Sequence, residues 1–376
     1  MSNNKKIVII SGIYVAETGG AVNIMSHIKN TKGDYVYKVY LVQNGSFKKQ
    51  LDFLGVDNVV FEFKSKFNFL NFLKITIALW WEKDVYSFHT HTERICFLFN
   101  PLLRLMGKKV VTTVHRNIAV SSIWKSTIKN YIFVKLENIA LQYFTNAIIY
   151  VSNTLRCQFI EGRRINTRSA VYKYFPIDPR LNCHNYQDYE VFDQISIMKT
   201  GGCIIAGTIA RATLEKGLDV LIEQFSLFIN SGNLSCPIVL VVFGESLDNY
   251  ISYFRKDLKC ENNWVLNNKI VFIGLNKNVG RFFELIDFYL QPSRSEAYGL
   301  AVLEASYYGV NIVTSDIPVF VETLEGYSGH HKVSLNDTSL CKILQENVKT
   351  KFLNKKTCVW KTLPTQFIET DVYQIV

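Results

Sequence analysis

The stretch Asp287–Asp316, DFYLQPSRSEAYGLAVLEASYYGVNIVTSD, holds the residue types with the most chemistry to offer. An apolar run ends at Gln291, Pro292-Ser293 breaks it, and a short loop carries Glu296. Gly299 then opens a segment whose Leu300, Leu303 and Tyr307 recur at helical spacing until Gly309. A helix that follows a parallel strand presents unpaired N–H groups and a partial positive charge at its start, the usual seat of a phosphate. Gly299 lets an anion approach the backbone. Glu296 in the loop and Glu304 a turn into the helix are then placed to accept hydrogen bonds from hydroxyls of a sugar attached to that phosphate. Two glutamates at this spacing arise often by chance; the strand, the Pro-Ser break, the glycine and the helix around them carry the signal.

A second segment, GTIARATLEKGLDVLIEQF at Gly207–Phe225, ends a strand and puts Arg211 and Lys216 on a strand-to-helix loop. Open α/β sheets bind their ligands at that carboxyl edge. Alone, two basic residues are ordinary exposed cations. Beside a phosphate-accepting helix end they complete a clamp for a diphosphate.

The elements that must position these residues follow from the rest of the chain. Its 376 residues, 48% apolar and 14% aromatic, are enough for a large core and too many for one domain of usual size. Short apolar runs alternate with helical-length segments. Ile7–Ile13, Val36–Val42, Val59–Phe63, Val85–Phe88, Val110–Val114, Ala147–Val151 and Ala170–Tyr174 read as strands in the first half. Cys203–Thr208, Ile238–Phe243, Ile270–Ile273, Phe288–Gln291 and Asn311–Thr314 read so in the second, with the continuous apolar character of strands covered on both faces. Two doubly wound α/β domains are expected: 1–175, a linker over 176–201 with its hinge near Pro176–Pro179, and 202–376. The last forty residues lose the strand pattern and read as helical or irregular.

Charge separates the halves. Residues 1–175 carry 24 Lys and Arg against 10 Asp and Glu, while 176–376 carry 18 against 22, within a total of +10. A one-sided basic domain points to an anionic partner, either a phosphate-bearing membrane surface or a nucleic acid. No apolar stretch reaches the roughly 20 residues of a spanning helix. The opening MSNNKKIVIISGIYVAETGG reads as a strand and a glycine loop rather than a leader, because Glu17 and Gly19-Gly20 stand where a cleavage site would lie. The eight cysteines contain no C-x-x-C and read as reduced thiols in a cytoplasm.

With these residues in view, EAYGLAVLE resembles the E-x7-E pattern of retaining glycosyltransferases of the GT-B fold, and PSRSEAYGLAVLEASYYG resembles the signature of family 4 of those enzymes. ARATLEKG is similar to that family's Arg-and-Lys phosphate element. Gly19-Gly20, FHTH at Phe88–His91, VVTTVHRN at Val110–Asn117, IIYVSNTL, VVFGES at Val241–Ser246 and VFIG at Val271–Gly274 extend the likeness over roughly residues 1–325. The resemblance implies two Rossmann-like domains whose parallel sheets face a central cleft, the N-terminal one binding acceptor and the C-terminal one a nucleotide sugar, with the last residues packing back toward the N-terminal domain. It implies that Arg211 and Lys216 neutralise the donor diphosphate, that Gly299 and Leu300 offer N–H groups, and that Glu304 takes the ribose hydroxyls. Glu296 would hold the transferred sugar, His115 would sit at it, Gly20 would let the first loop approach, and Gly244 and Gly274 would border the base. The implied activity is transfer, with retention, of a sugar from a UDP- or GDP-sugar to a glycan or lipid-linked acceptor in bacterial surface polysaccharide synthesis. No cofactor and no metal are implied, nucleic acid is not among the partners, and the place of action is the cytoplasmic face of the membrane. Two departures stand out: Phe175-Pro176-Ile177-Asp178 replaces the usual Asn-Gly before the linker Asp, and Arg116 replaces Asp after the histidine. The added cation favours an anionic acceptor.

Three features compete with this reading. His89 and His91 have metal-ligand potential, but no third ligand stands at suitable spacing and no D-x-D pair occurs, so they read as packed strand-end residues. Phe63–Lys83 interleaves lysines with aromatics and reads either as a helix packed on the sheet or as an interfacial segment. A non-catalytic basic protein that holds nucleic acid or a membrane would explain the charge asymmetry, but it leaves the phosphate-seat pattern in the acidic half unexplained.

Overall fold

The alternation of β-branched runs with longer segments builds two parallel sheets. The computed structural model of the chain describes residues 5–349, apart from 14–15, 17–18, 32, 63–68, 92, 117–127, 172–188, 232–236, 255–259, 262–263, 266–268, 275–277 and 336–337. The chain divides into two compact units, with the break after Pro176.

The first unit holds β1 (Lys5–Ser11), β2 (Tyr35–Leu41), β3 (Asp57–Val60), β4 (Val85–His91), β5 (Val110–Val114), β6 (Ala147–Tyr150) and β7 (Ser169–Val171). Their spatial order is β3-β2-β1-β4-β5-β6-β7, and every pairing is parallel. Ile7–Ile10 of β1 are fully buried, which is why this central strand is apolar without alternation. Strand order reverses direction between β1 and β4, the switch point where such sheets open a crevice. The helix Phe69–Trp81 packs Ile75 and Leu79 into one core with Val8, Ile10 and Phe88. Its other side exposes Phe69, Leu70, Trp80 and Trp81. The packed reading of Phe63–Lys83 therefore describes one face of this helix only.

The second unit contains β8 (Ile204–Ile209), β9 (Ile238–Phe243), β10 (Cys260–Glu261), β11 (Trp264–Val265), β12 (Ile270–Gly274), β13 (Phe288–Gln291), β14 (Asn311–Ser315) and β15 (His330–Val333), in the order β10-β11-β12-β9-β8-β13-β14-β15. β10 and β11 pair antiparallel at the edge; the other six strands run parallel. The switch point lies between β8 and β13, the two strands whose ends carry the segments singled out above.

Five elements differ from the sequence expectation. β10 and β11 are too short to show a pattern, and β15, HHKV, has one apolar residue and is drawn into the sheet by pairing with β14. β3 begins at Asp57, two residues ahead of the apolar run, in register with Lys38 of β2. Residues 189–200, assigned to the linker, form a helix of the second unit: Phe192 and Ile195 enter its core, and Lys199 bonds Asp287 at 2.7 Å. Phe192 and Ile195 are one helical turn apart, a signal that the polar residues around them obscured. The hinge at Pro176–Pro179 and the packing of the last residues lie outside the described residues.

Candidate functional site

Period-2 geometry makes the first part of the site. Tyr289 and Gln291 project from the same face of β13, and Ser293 continues their line past its end. The Tyr289 hydroxyl accepts the Ile209 N–H of β8 at 3.2 Å and donates to Gln291 Oε1 at 2.6 Å. Gln291 Nε2 donates to Ser293 Oγ at 2.8 Å, and Ser293 Oγ donates to Glu296 Oε1 at 3.0 Å. Lys216 Nζ closes the line on the same oxygen at 2.5 Å. A chain of hydrogen bonds from the sheet core thus orients Glu296 and pairs it with one expected cation. Among the described residues Glu296 Oε2 accepts no bond, so one lone-pair face of this half-buried carboxylate is open to a hydroxyl donor. Tyr289 and Gln291 were not singled out from sequence, although the alternation YLQPS carried the signal.

Two glycines let the loops meet. Gly217 is left-handed, φ +65°, and a Cβ there would lie 1.8 Å from the carbonyl oxygen of Pro292. Only a bare backbone allows the Lys216 loop to press against the Pro292-Ser293 loop. Arg294 bolts the contact: its guanidinium takes both oxygens of Asp219, at 2.7 and 2.9 Å, and its N–H donates to the Glu215 carbonyl at 2.7 Å. Gly299, φ +83°, caps the helix Leu300–Tyr307, and the N–H groups of that first turn lack intrahelical acceptors.

Glu304 lies within this helix. Among the described residues its carboxylate has neither a hydrogen bond nor an ion pair, and burial pushes it up to about 7. Ligand groups that donate hydrogen bonds to a carboxyl in such a place favour its ionised form. Arg211 is exposed on the loop after β8, and among the described residues its guanidinium makes no hydrogen bond or ion pair. Gly244 and Gly274, at the ends of β9 and β12, bond to each other through Gly244 N–H and the Gly274 carbonyl at 2.8 Å.

The remaining predicted residues lie in the first unit. His115 follows β5, with Nε2 2.9 Å from Nδ1 of His91 at the end of β4. Gly19 and Gly20, expected in a loop, open the helix Gly19–Thr31, and an ideal Cβ on Gly20 would stand 4.0 Å from His115 Nδ1, so the helix start and this histidine are neighbours. His89, two residues before His91 and on the same face, bonds Thr113 at 2.7 Å. Burial, with the neighbouring imidazoles, holds His89 and His91 well below the ordinary histidine range, hence neutral. Arg116 is exposed.

Comparison with known proteins places this geometry. The chain is 30% identical over 123 residues to the O-antigen biosynthesis glycosyltransferase WclY of Escherichia coli, a match covering 32% of this chain and 31% of that protein. It is 35% identical over 63 residues to the lipopolysaccharide core biosynthesis mannosyltransferase LpsB of Rhizobium meliloti, covering 17% and 18%. The chain thus spans about a third or less of the length of these relatives. Among solved structures, Anabaena Alr3699/HepE in complex with UDP and glucose superposes with a TM-score of 0.69 at 15% identity, covering 94% of this chain and 93% of that one. WaaG, a glycosyltransferase involved in lipopolysaccharide biosynthesis, gives 0.65 at 13% identity, covering 93% and 92%. The two doubly wound domains are those of the GT-B fold. Every assembled part of the second unit's site, from Arg211 to Glu304, falls inside residues 196–351, the stretch matched by the family model for glycosyl transferases group 1.

Proposed function

We propose that the chain is a retaining glycosyltransferase that moves a sugar from a nucleoside-diphosphate sugar, UDP or GDP, to a glycan or lipid-linked acceptor in bacterial surface polysaccharide synthesis. The observation that carries this is the convergence, at the switch point of the second sheet, of Lys216, an oriented Glu296, the open helix start at Gly299 and the unpaired Glu304. The group 1 match and the relatives named for O-antigen and lipopolysaccharide synthesis support it.

In this reading Arg211, Lys216 and the N–H groups of Gly299 and Leu300 oppose the charge that builds on the leaving diphosphate as the glycosidic bond breaks. Glu304 accepts the ribose hydroxyls, Glu296 Oε2 accepts a hydroxyl of the transferred sugar, and Gly244 and Gly274 border the base. His115, with Gly20 beside it, contacts the transferred sugar. The acceptor attacks from the face the diphosphate leaves, and a leaving phosphate oxygen takes its proton. Because protein groups neutralise the diphosphate, transfer proceeds without a divalent cation. The basic first unit, with the exposed aromatics of the helix Phe69–Trp81, is the part that meets an anionic bilayer at its cytoplasmic face.

The deciding experiment offers the purified chain a panel of UDP-, GDP- and dTDP-sugars and follows hydrolysis and transfer with excess EDTA, then reads the anomeric proton of the product by NMR. Turnover of one donor, undiminished by EDTA, with an α-linked sugar giving an α-linked product, is expected. Activity that returns only with Mn²⁺ would remove metal independence, an inverted coupling constant would remove retention, and no turnover of any donor would remove the reading.

A further inference from the structure

The Arg211 loop is held by a residue that the site has not yet used. Gly244, φ +86°, turns the chain at the end of β9, and Glu245 follows with its backbone closed against β12 through Gly274 N–H and the Glu245 carbonyl at 3.0 Å. The Glu245 side chain is 9% exposed. Its Oε2 accepts the Ala212 N–H at 2.6 Å, and its Oε1 accepts the Ser246 N–H at 3.0 Å and Asn249 Nδ2 at 2.9 Å. Around Arg211 the loop is then pinned on both sides: Ala210 N–H donates to the Phe243 carbonyl at 3.1 Å, Ala212 N–H to Glu245, and Thr213 N–H to the Arg211 carbonyl at 2.8 Å. Only the guanidinium is left open.

A buried carboxylate at this edge carries a double cost. It must be desolvated, and it adds negative charge next to a seat for a diphosphate. A neutral side chain would fill the same space without the repulsion. What a neutral side chain cannot do is accept an N–H on each oxygen with the strength of a charged acceptor. We infer that Glu245 is a positioning residue for Arg211: by tying the Ala212 amide to the end of β9, it presents the guanidinium to a nucleoside diphosphate with the loop already ordered. This rests on the donor-site reading above and names a residue on which that site depends.

The competing role for Glu245 is local, the bracing of the helix Leu247–Phe254 through Ser246 and Asn249. A double-mutant cycle separates the two. The affinity of UDP and GDP, and of uridine and guanosine, is measured by calorimetry for the wild type, Glu245→Gln, Arg211→Ala and the pair. Glu245→Gln is expected to weaken the diphosphate about tenfold while leaving the nucleoside unchanged, and to add nothing once Arg211 is alanine. Glu245→Asp, which keeps the charge but withdraws it from Ala212, is expected to show the same loss and stands in should Glu245→Gln fail to fold. Asn249→Ala, which removes a bond to Glu245 Oε1 and leaves Oε2 on the Ala212 amide, is expected to bind as wild type. Additive losses in the cycle, an equal loss for the nucleoside, or a loss in Asn249→Ala would overturn the proposal. Failure of the wild type to bind either diphosphate would instead remove the donor-site reading and this inference with it.

Discussion

The two units bring candidate functional side chains to the same place in the same topology and build that place in opposite ways. At the switch point of the second sheet, charged groups are braced across loops: Lys216 on Glu296, Arg294 on Asp219, and the Gly217 backbone against Pro292. At the first sheet, the strand ends carry His89 and His91, both neutral, with His115 stacked on His91 and Gly20 of the helix Gly19–Thr31 facing the tip of Ile13. One physical cause acts on both. Burial raises Glu304 and lowers His89 and His91, whereas the buried Glu82, Glu137 and Asp287 each keep a cationic partner. The second unit holds charged groups at the sheet edge in ion pairs; the first holds neutral imidazoles there and exposes aromatics on the helix Phe69–Trp81.

The largest effect expected from breaking this contrast is on catalysis. Lys216→Ala removes the cation that meets both Glu296 and the proposed diphosphate, and turnover should fall roughly a hundredfold, about 3 kcal/mol, with little change in melting temperature. Steady-state rates near wild type would detach the braced loops from the chemistry.

Next comes a pair of glycines. Gly217→Ala puts a methyl into a backbone carbonyl and a side chain into the left-handed region, and should destabilise the fold by about 2 kcal/mol or more. Gly20→Ala meets only the end of the Ile13 side chain, 2.5 Å away, which can rotate, and should cost less than about 1 kcal/mol. Equal losses in thermal or urea denaturation would erase the difference drawn between the two glycines.

Proton linkage sharpens the comparison further. A Glu304 raised to about 7 is protonated in the fold where an unfolded carboxyl is not, so its contribution to stability is present below about 4.5 and is lost as pH rises to about 7. The buried histidines act in the other direction, losing stability as pH falls through the unfolded histidine value near 6.5. Glu304→Gln should therefore melt higher than wild type at pH 8 and much like it at pH 4.5. A diol that donates to the Glu304 carboxylate must also expel its proton. Calorimetry of UDP or GDP binding near pH 7, in buffers of different ionisation enthalpy, should show proton release that Glu304→Gln abolishes.

The smallest expected effect concerns the exposed helix. Trp80→Ser with Trp81→Ser should weaken pelleting with acidic liposomes several-fold and leave soluble-donor hydrolysis untouched, since neither ring belongs to the core. Wild-type binding to acidic vesicles should also fall as salt rises, because surface charge reaches only about 8 Å at physiological strength. Equal binding to neutral vesicles, or a stronger hold on nucleic acid, would reassign the basic charge.

Much of this molecule was legible in one dimension. Continuous apolar runs such as Ile238–Phe243 declare buried parallel strands, because both faces of such a strand must be apolar. Gly299 and the helical spacing after it declare a helix start with open N–H groups, because only local backbone geometry is needed to make one. Glu296, Glu304, Arg211 and Lys216 sit on segments whose order of strand, loop and helix is set within twenty residues. What only the tertiary structure decided depends on partners far apart in the chain. Lys216 meets Glu296 across 80 positions. Glu304 has its proton affinity set by burial that no neighbouring residue announces. The helix Tyr189–Thr200 leaves the linker, joins the second core through Phe192 and Ile195 and is tied to it by Lys199 and Asp287, and Glu245 reaches Ala212 from the next strand. Sequence spacing encodes contacts within a turn or a strand. Pairings between strand ends follow from the order in which strands lie in the sheet, and that order is a property of the packed chain.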